Sequence, residues 1–249
     1  MSNRLNAMLP VGAPLAVDVR AKRARNAAGE TVEIIAGLAF ALAAGEVAAL
    51  IGPSGCGKST LMRIIAGLDP AFEGSVERAP GARLAMAFQE PRLLPWRSVE
   101  DNLRLAAPQS IAAERTALFD ALGLSDHRRH FPGELSLGLA RRASLARALA
   151  AKPDLLLLDE PFVSLDPALA RAIRADLARL IASTRLTGVL VTHEVEDALD
   201  LADVIYVLSP RPAHILGEVR IDTPRALDPA RRAARAADVE RLRGSLKPT

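Results

Sequence analysis

Apolar positions along the chain fall into short continuous runs set between stretches of helical period. Val47–Ile51, Leu155–Leu158, Val189–Val191 and Val204–Leu208 carry no alternating polar positions, the pattern of strands buried on both faces. Leu84–Phe88, Leu15–Val19 and Thr31–Ile35 are further β-like runs. Spacings of three and four residues predict helices at Val99–Ala106, Ala112–Leu122, Ser136–Ala151, Ala168–Ser183 and Glu194–Leu201. Asp69 to Gly81 reads as a turn-rich patch, and no internal repeat or heptad array is seen. Strands that alternate with helices give an α/β fold with a mostly parallel, buried sheet. Ligands are then expected at the carboxyl ends of its strands. The helical run from about 90 to 151 is an insertion into that core.

Composition narrows the class. Of the 249 residues, 50% are hydrophobic and 24% charged, the range of a soluble globular domain long enough to bury a sizeable core. The net charge of +3 and an aromatic content of 3% give neither the basic patch nor the stacking platform of a nucleic-acid binder, so no nucleic acid is expected. Ile34–Ala44 is too short to cross a bilayer, and the prolines at 10 and 14 break any leader-like pattern. Cys56 is the one cysteine, which excludes an internal disulfide, and it reads as a small residue tolerated in its loop.

The densest chemistry lies at the end of Val47–Ile51. There Gly52, Pro53, Ser54, Gly55, Cys56, Gly57, Lys58, Ser59 and Thr60 fit G-x-x-x-x-G-K-[ST], followed by the helical spacing of Leu61, Ile64, Ile65 and Leu68. Glycines permit a tight turn with inward amides, and the helix that follows presents its positive end. Lys58 adds a mobile cation, while Ser59 can hold Mg²⁺. Leu155–Leu158 delivers two carboxylates to the same edge. Asp159 suits the metal, and Glu160 suits polarising a water for in-line attack on a γ-phosphate. Gln89, His193 and Asp166, in Ser164-Leu165-Asp166, follow other strand ends. Gln89 can reach a metal or water, and His193 a γ-phosphate.

Taken together, these residues resemble the ATPase subunits of ABC transporters over about Leu15 to Asp222. Phe88–Trp96, Ser98–Leu103 and Leu208–Ile215 look like the nitrate/sulfonate/taurine importer branch. The resemblance implies a P-loop NTPase (RecA-like) core over 15–89 and 152–224. It also implies an antiparallel β portion, a helical subdomain at about 90–151, an N-terminal tail (1–14) and a C-terminal helical tail (225–249). It further implies ATP and Mg²⁺ as ligands, a head-to-tail dimer with a second copy, and membrane permease subunits fed by an external solute-binding protein. The chain would sit peripherally at the cytoplasmic face of the inner membrane. In that dimer Ser136 and Gly138, within Leu135–Arg142, would complete the partner's site, and Asp166 would lie near the nucleotide. Ser136 also reads as the N-cap of the helix to Ala151.

Two departures stand out. Leu137 and Leu139 replace the glycine and the Gln or Met usual in the signature segment. No aromatic precedes Phe40, where the family stacks adenine at about Arg20 to Asn26, and Arg23 or Arg25 is the available substitute. Leu93, Leu94 and Trp96, in Glu90–Arg97, form a candidate permease anchor. The arginine-rich tail reads as a solvated amphipathic helix, with contact to anionic lipid as the other reading. A nucleotide-dependent regulatory module with weak hydrolysis is the alternative function.

Overall fold

The computed structural model describes residues 14–163, 165–222 and 228–244. Most of the expected N-terminal tail, Ser164 and both 225–227 and 245–249 of the C-terminal tail lie outside the described residues. Two sheets organise the rest. In the smaller one, β1 (Leu15–Arg25) is flanked by β2 (Thr31–Leu42) and, later in the chain, by β4 (Glu73–Arg78), both antiparallel to it. The larger sheet includes β3 (Val47–Ile51), β5 (Leu84–Ala87), β6 (Leu155–Asp159), β7 (Thr187–Thr192), β8 (Val204–Leu208) and β9 (Ile215–Arg220). Its order is β5-β6-β7-β3-β8-β9. All its pairings are parallel except β8 with β9. The expected α/β core, mostly parallel with an antiparallel portion, is what the chain forms.

Period-two alternation explains why β3 shows no polar positions. Val47, Ala49 and Ile51 enter a core shared with Phe119, Leu145, Leu177 and Leu199, whereas Ala48 and Leu50 enter one shared with Leu15, Phe40, Leu61 and Ile65. Both faces of the strand are therefore covered, by helices on one side and by α1 (Lys58–Ile65) with the antiparallel sheet on the other. Each fully buried Leu or Ile there contributes about 1.5–3 kcal/mol. Between β5 and β6 the chain inserts α2 (Val99–Ala106), α3 (Ala112–Ala121) and α4 (Leu137–Ala150).

Helix starts follow sequence chemistry. Ser98 Oγ accepts from Asp101 N (3.1 Å) at α2, and Ser136 Oγ from Leu139 N (3.3 Å) at α4. At α5 (Pro167–Thr184), Asp166 caps Ala168 N and Leu169 N at 3.0 and 3.1 Å, with Pro167 in the first turn. The helix α6 (Val195–Leu201) follows β7.

Two strands fall where no strand was expected. β4 occupies the patch read as turns. It is a polar edge strand, and a Cβ on Gly74 would lie 1.9 Å from the Asp18 carbonyl oxygen. Close approach, not hydrophobicity, fixes this strand. β9, Ile-Leu-Gly-Glu-Val-Arg, is likewise an edge, with Gly217 lying under Leu242. The C-terminal tail forms the amphipathic helix expected, α7 (Pro229–Gly244), with most of its residues at the surface. It is docked by the fully buried Val239. Arg232 pairs with Glu196 and with Asp200 (2.6 Å), and Arg235 with Asp222 (2.5 Å). Those arginines bind the protein's own carboxylates.

Candidate functional site

Four neighbouring parallel strands end at one edge of the sheet, and each delivers part of one cavity. From β3 comes the loop 52–57 leading into α1, from β5 Gln89, from β6 Glu160, and from β7 His193, whereas Asp159, the residue before Glu160, does not line the cavity. The cavity holds about 510 Å³. Its lining comprises Gly52, Pro53, Ser54, Gly55, Gly57, Lys58, Ser59, Thr60, Gln89, Glu160 and His193, joined by Arg211 and Arg243.

The loop is shaped by sterics as well as by backbone freedom. Gly57 has φ +126°, and a Cβ there would meet Ile34 Cγ2 at 2.9 Å. α1 starts at this glycine without a side-chain cap, so its first amides face the cavity, as an anion requires. Lys58 is buried, and its ammonium donates to Gly52 O (2.8 Å) and Pro53 O (2.9 Å). Its third donor lies 4.0 Å from Cys56 Sγ, a weak contact that a phosphate oxygen can replace. Cys56 does not line the cavity. It is buried in the core, its Sγ facing Gly52. Only the backbone of residue 56 belongs to the loop.

Asp159 is 4% exposed. Burial pushes its carboxyl above the ordinary value of 3.8, against a lowering hydrogen bond from Ser59, and nearby Glu160 raises it further. Its Oδ1 is buried with no hydrogen-bond partner. An orphaned carboxylate oxygen costs free energy unless a cation uses it. With the Ser59 hydroxyl and the Gln89 amide oxygen, the set consists of hard oxygen donors that fit Mg²⁺. No group of three or more His, Cys, Asp or Glu among the described residues could hold a metal by itself. An ion held by these residues would complete its coordination with water or with oxygens of a bound ligand.

Glu160 has φ +49°, a conformation that costs a non-glycine residue of order 1–3 kcal/mol and clusters at functional sites. Its N–H donates to Val191 O (2.9 Å), which ties it to β7. His193 Nδ1 lies 3.6 Å from Glu160 Oε1, and its Nε2 3.2 Å from Glu194 Oε1. Beneath this turn, buried Thr192 donates to Asp197 Oδ2 (2.9 Å), and Arg174 reaches the other oxygen at 2.6 Å. Glu194 N donates to Thr192 Oγ1 (3.0 Å). The His193 turn is thus fastened to α5 and α6.

The Gln89 segment is fastened too. Arg147 of α4 donates to Pro91 O (3.1 Å) and Arg92 O (2.6 Å), and Arg92 lies over the Phe88 ring at 4.4 Å. Asn102 bonds Leu94 through both its N–H and its carbonyl. Of the proposed permease anchors, Trp96 is 69% exposed, whereas Leu93 packs against the core.

Residues 35–163 match the ABC transporter family. An aliphatic sulfonates import ATP-binding protein of Burkholderia cenocepacia is 41% identical over 226 residues, covering 87% of this chain and 82% of the relative. One from Pseudomonas syringae is 42% identical over 212 residues, 84% of this chain and 90% of the relative. The chain belongs to the ABC transporter family. A dimeric bacterial ABC transporter cassette shares the fold with a TM-score of 0.75 at 23% identity, covering 84% of this chain and 99% of that one.

Not every residue expected at the cassette's site meets there. Asp159 and Asp166 are absent from the cavity lining, as are Ser136 and Gly138, which were expected to complete a partner's site and not this one. Ser136 is exposed at the start of α4, Leu137 beside it is 53% exposed, and the Asp166 carboxylate caps α5. Among the described residues no Phe, Tyr or Trp lines the cavity. Arg23, a possible stand-in, is engaged with Glu73 (2.6 Å) and Glu33 (3.4 Å). Sequence reasoning missed Arg211 and Arg243. Both lay in stretches already singled out, but no spacing linked them to the phosphate loop.

Proposed function

We propose that this chain is the ATP-hydrolysing subunit of an ABC importer for aliphatic sulfonates or similar small oxyanions, working through a separate permease. The observation that carries it is the convergence of the phosphate loop, Gln89, Glu160 and His193 on one cavity. Loop amides and Lys58 bind the phosphates, and Glu160 accepts the proton of the attacking water. His193, beside Glu160, donates to the γ-phosphate oxygens. Ser59, Asp159 and Gln89 would hold Mg²⁺, which when bound neutralises phosphate charge. A regulatory binder would have no use for a carboxylate held at positive φ against a histidine, so that alternative is not favoured.

The solute class rests on the names of the relatives. No helix of the described residues is long and apolar enough to cross a membrane, which fits a peripheral subunit at the cytoplasmic face of the inner membrane. Ser136 and Gly138 lie on the surface, outside their own chain's cavity. In a head-to-tail dimer they would face the partner's nucleotide, with Leu137 in the contact. The exposed Trp96 suits a permease groove.

Vesicles holding the chain with its permease test the reading. ATP hydrolysis and uptake should rise when an external binding protein is loaded with an alkanesulfonate. Stimulation by another solute alone would overturn the sulfonate assignment, and absence of any ATPase activity would overturn the whole.

A further inference from the structure

We propose that Arg211 and Arg243 form a second cationic clamp for the nucleotide's phosphates, supplied in cis by the β8–β9 loop and by α7. The proposal deepens the reading of the cavity as an ATP site and rests on it. Both side chains line the same cavity as the phosphate loop, although they come from parts of the chain that the loop motif does not touch. Arg211 is exposed and has no ion-pair or hydrogen-bond partner among the described residues. It leaves β8, the strand next to β3, so the sheet order itself brings it beside the loop.

Arg243 is placed by the docking of α7. Arg232 clamps that helix onto α6, Val239 is fully buried, and Leu242 packs against Gly217. From the last turn of α7 the Arg243 guanidinium donates to the His193 carbonyl oxygen (3.2 Å) and pairs with Glu240 (2.8 Å). It is about one-third exposed. Its five donors exceed those two bonds, which leaves N–H groups for an anion in the cavity.

The cavity's chemistry gives such a clamp a purpose. Among the described residues it offers no aromatic ring for a base, whereas Lys58, Arg211 and Arg243 supply three cations against the Glu160 carboxylate. Recognition is therefore weighted toward the triphosphate. Arg243 also joins the phosphate end of the cavity to the backbone of His193, so a phosphate drawn to this arginine steadies that residue.

Binding of ATP and GTP to the full chain with Mg²⁺, read by competition against a fluorescent ATP analogue, tests the clamp in R211A, R243A, R211K and R243K. Each alanine variant should raise the Kd by about 5-fold, the effect of one partly exposed charged contact. The factor should be the same for ATP and GTP, and lysine should restore part of it. Unchanged Kd values in both alanine variants would overturn the clamp, as would a loss confined to one base. Should R243A fail to fold, R243K and the loop variant R211A decide the matter. Failure of the parent chain to bind ATP would instead sink the reading of the site itself.

Discussion

Replacing Asp159 by Asn should make the protein more stable at neutral pH while removing its response to Mg²⁺. The carboxylate is 4% exposed, and its Oδ1 has no partner. Burial raises its pKa in the fold above the ordinary 3.8. A carboxyl with a raised folded pKa favours the fold below its unfolded pKa. That advantage is lost as pH climbs through the folded value. At pH 7.5 the parent therefore holds an ionised, half-satisfied group in a dry site. The neutral amide relieves the charge and keeps the shape, a gain of about 1–2 kcal/mol, the scale of one unsatisfied buried acceptor. For a chain of this size that is about 3–6 °C in Tm. Calorimetry between pH 4 and 8 without nucleotide should show the gap between variant and parent narrowing toward pH 4. Adding Mg²⁺ and ATP should then raise the parent's Tm well above the variant's rise. A D159N protein less stable than the parent at pH 7.5, or a gap that widens on acidification, would show that the buried Asp159 carboxylate does not destabilise the fold.

Asp197→Ala removes the acceptor of both Thr192 and Arg174, and should cost about 3 kcal/mol, the low end for a broken buried pair. Asp200, 2.8 Å from Arg174, remains as a partner; a loss below ~1 kcal/mol in urea unfolding would show the network to be dispensable. Asn102→Ala deletes four hydrogen bonds that hold Leu94, Arg97 and Ser98. It should destabilise the fold by about 2–3 kcal/mol and open residues 90–97 to limited proteolysis, whereas an unchanged digestion pattern would count against it. Gly57→Ala forces a Cβ onto Ile34 at positive φ and should abolish ATP binding in the same competition assay; retained binding would contradict the account of the loop.

The central strands were legible because burial on both faces leaves only apolar residues, as in Val47–Ile51. The cap at Ser136 was legible because it carries local chemistry that no distant contact overrides. β4 was not, since Glu73–Arg78 is a polar edge whose strand conformation depends on Gly74 meeting Asp18 across the sheet. The phosphate loop, Asp159 and Glu160 could be read from contiguous motifs. Gln89 and His193 needed the order of strand ends to join them. Arg243 was out of reach for a physical reason. Its place depends on Arg232 meeting Glu196 and Asp200, 36 and 32 residues away, and a charge pattern alone does not say which carboxylates an arginine will find.

The proposed role of Glu160 is to act as the base in ATP hydrolysis within the cavity. Steady-state turnover of the parent and of Glu160→Gln, with ATP binding measured alongside, tests it most directly. The parent should show Mg²⁺-dependent hydrolysis and the variant a fall of about 10²–10⁴-fold, with ATP affinity retained. Near-parental turnover in Glu160→Gln would contradict it.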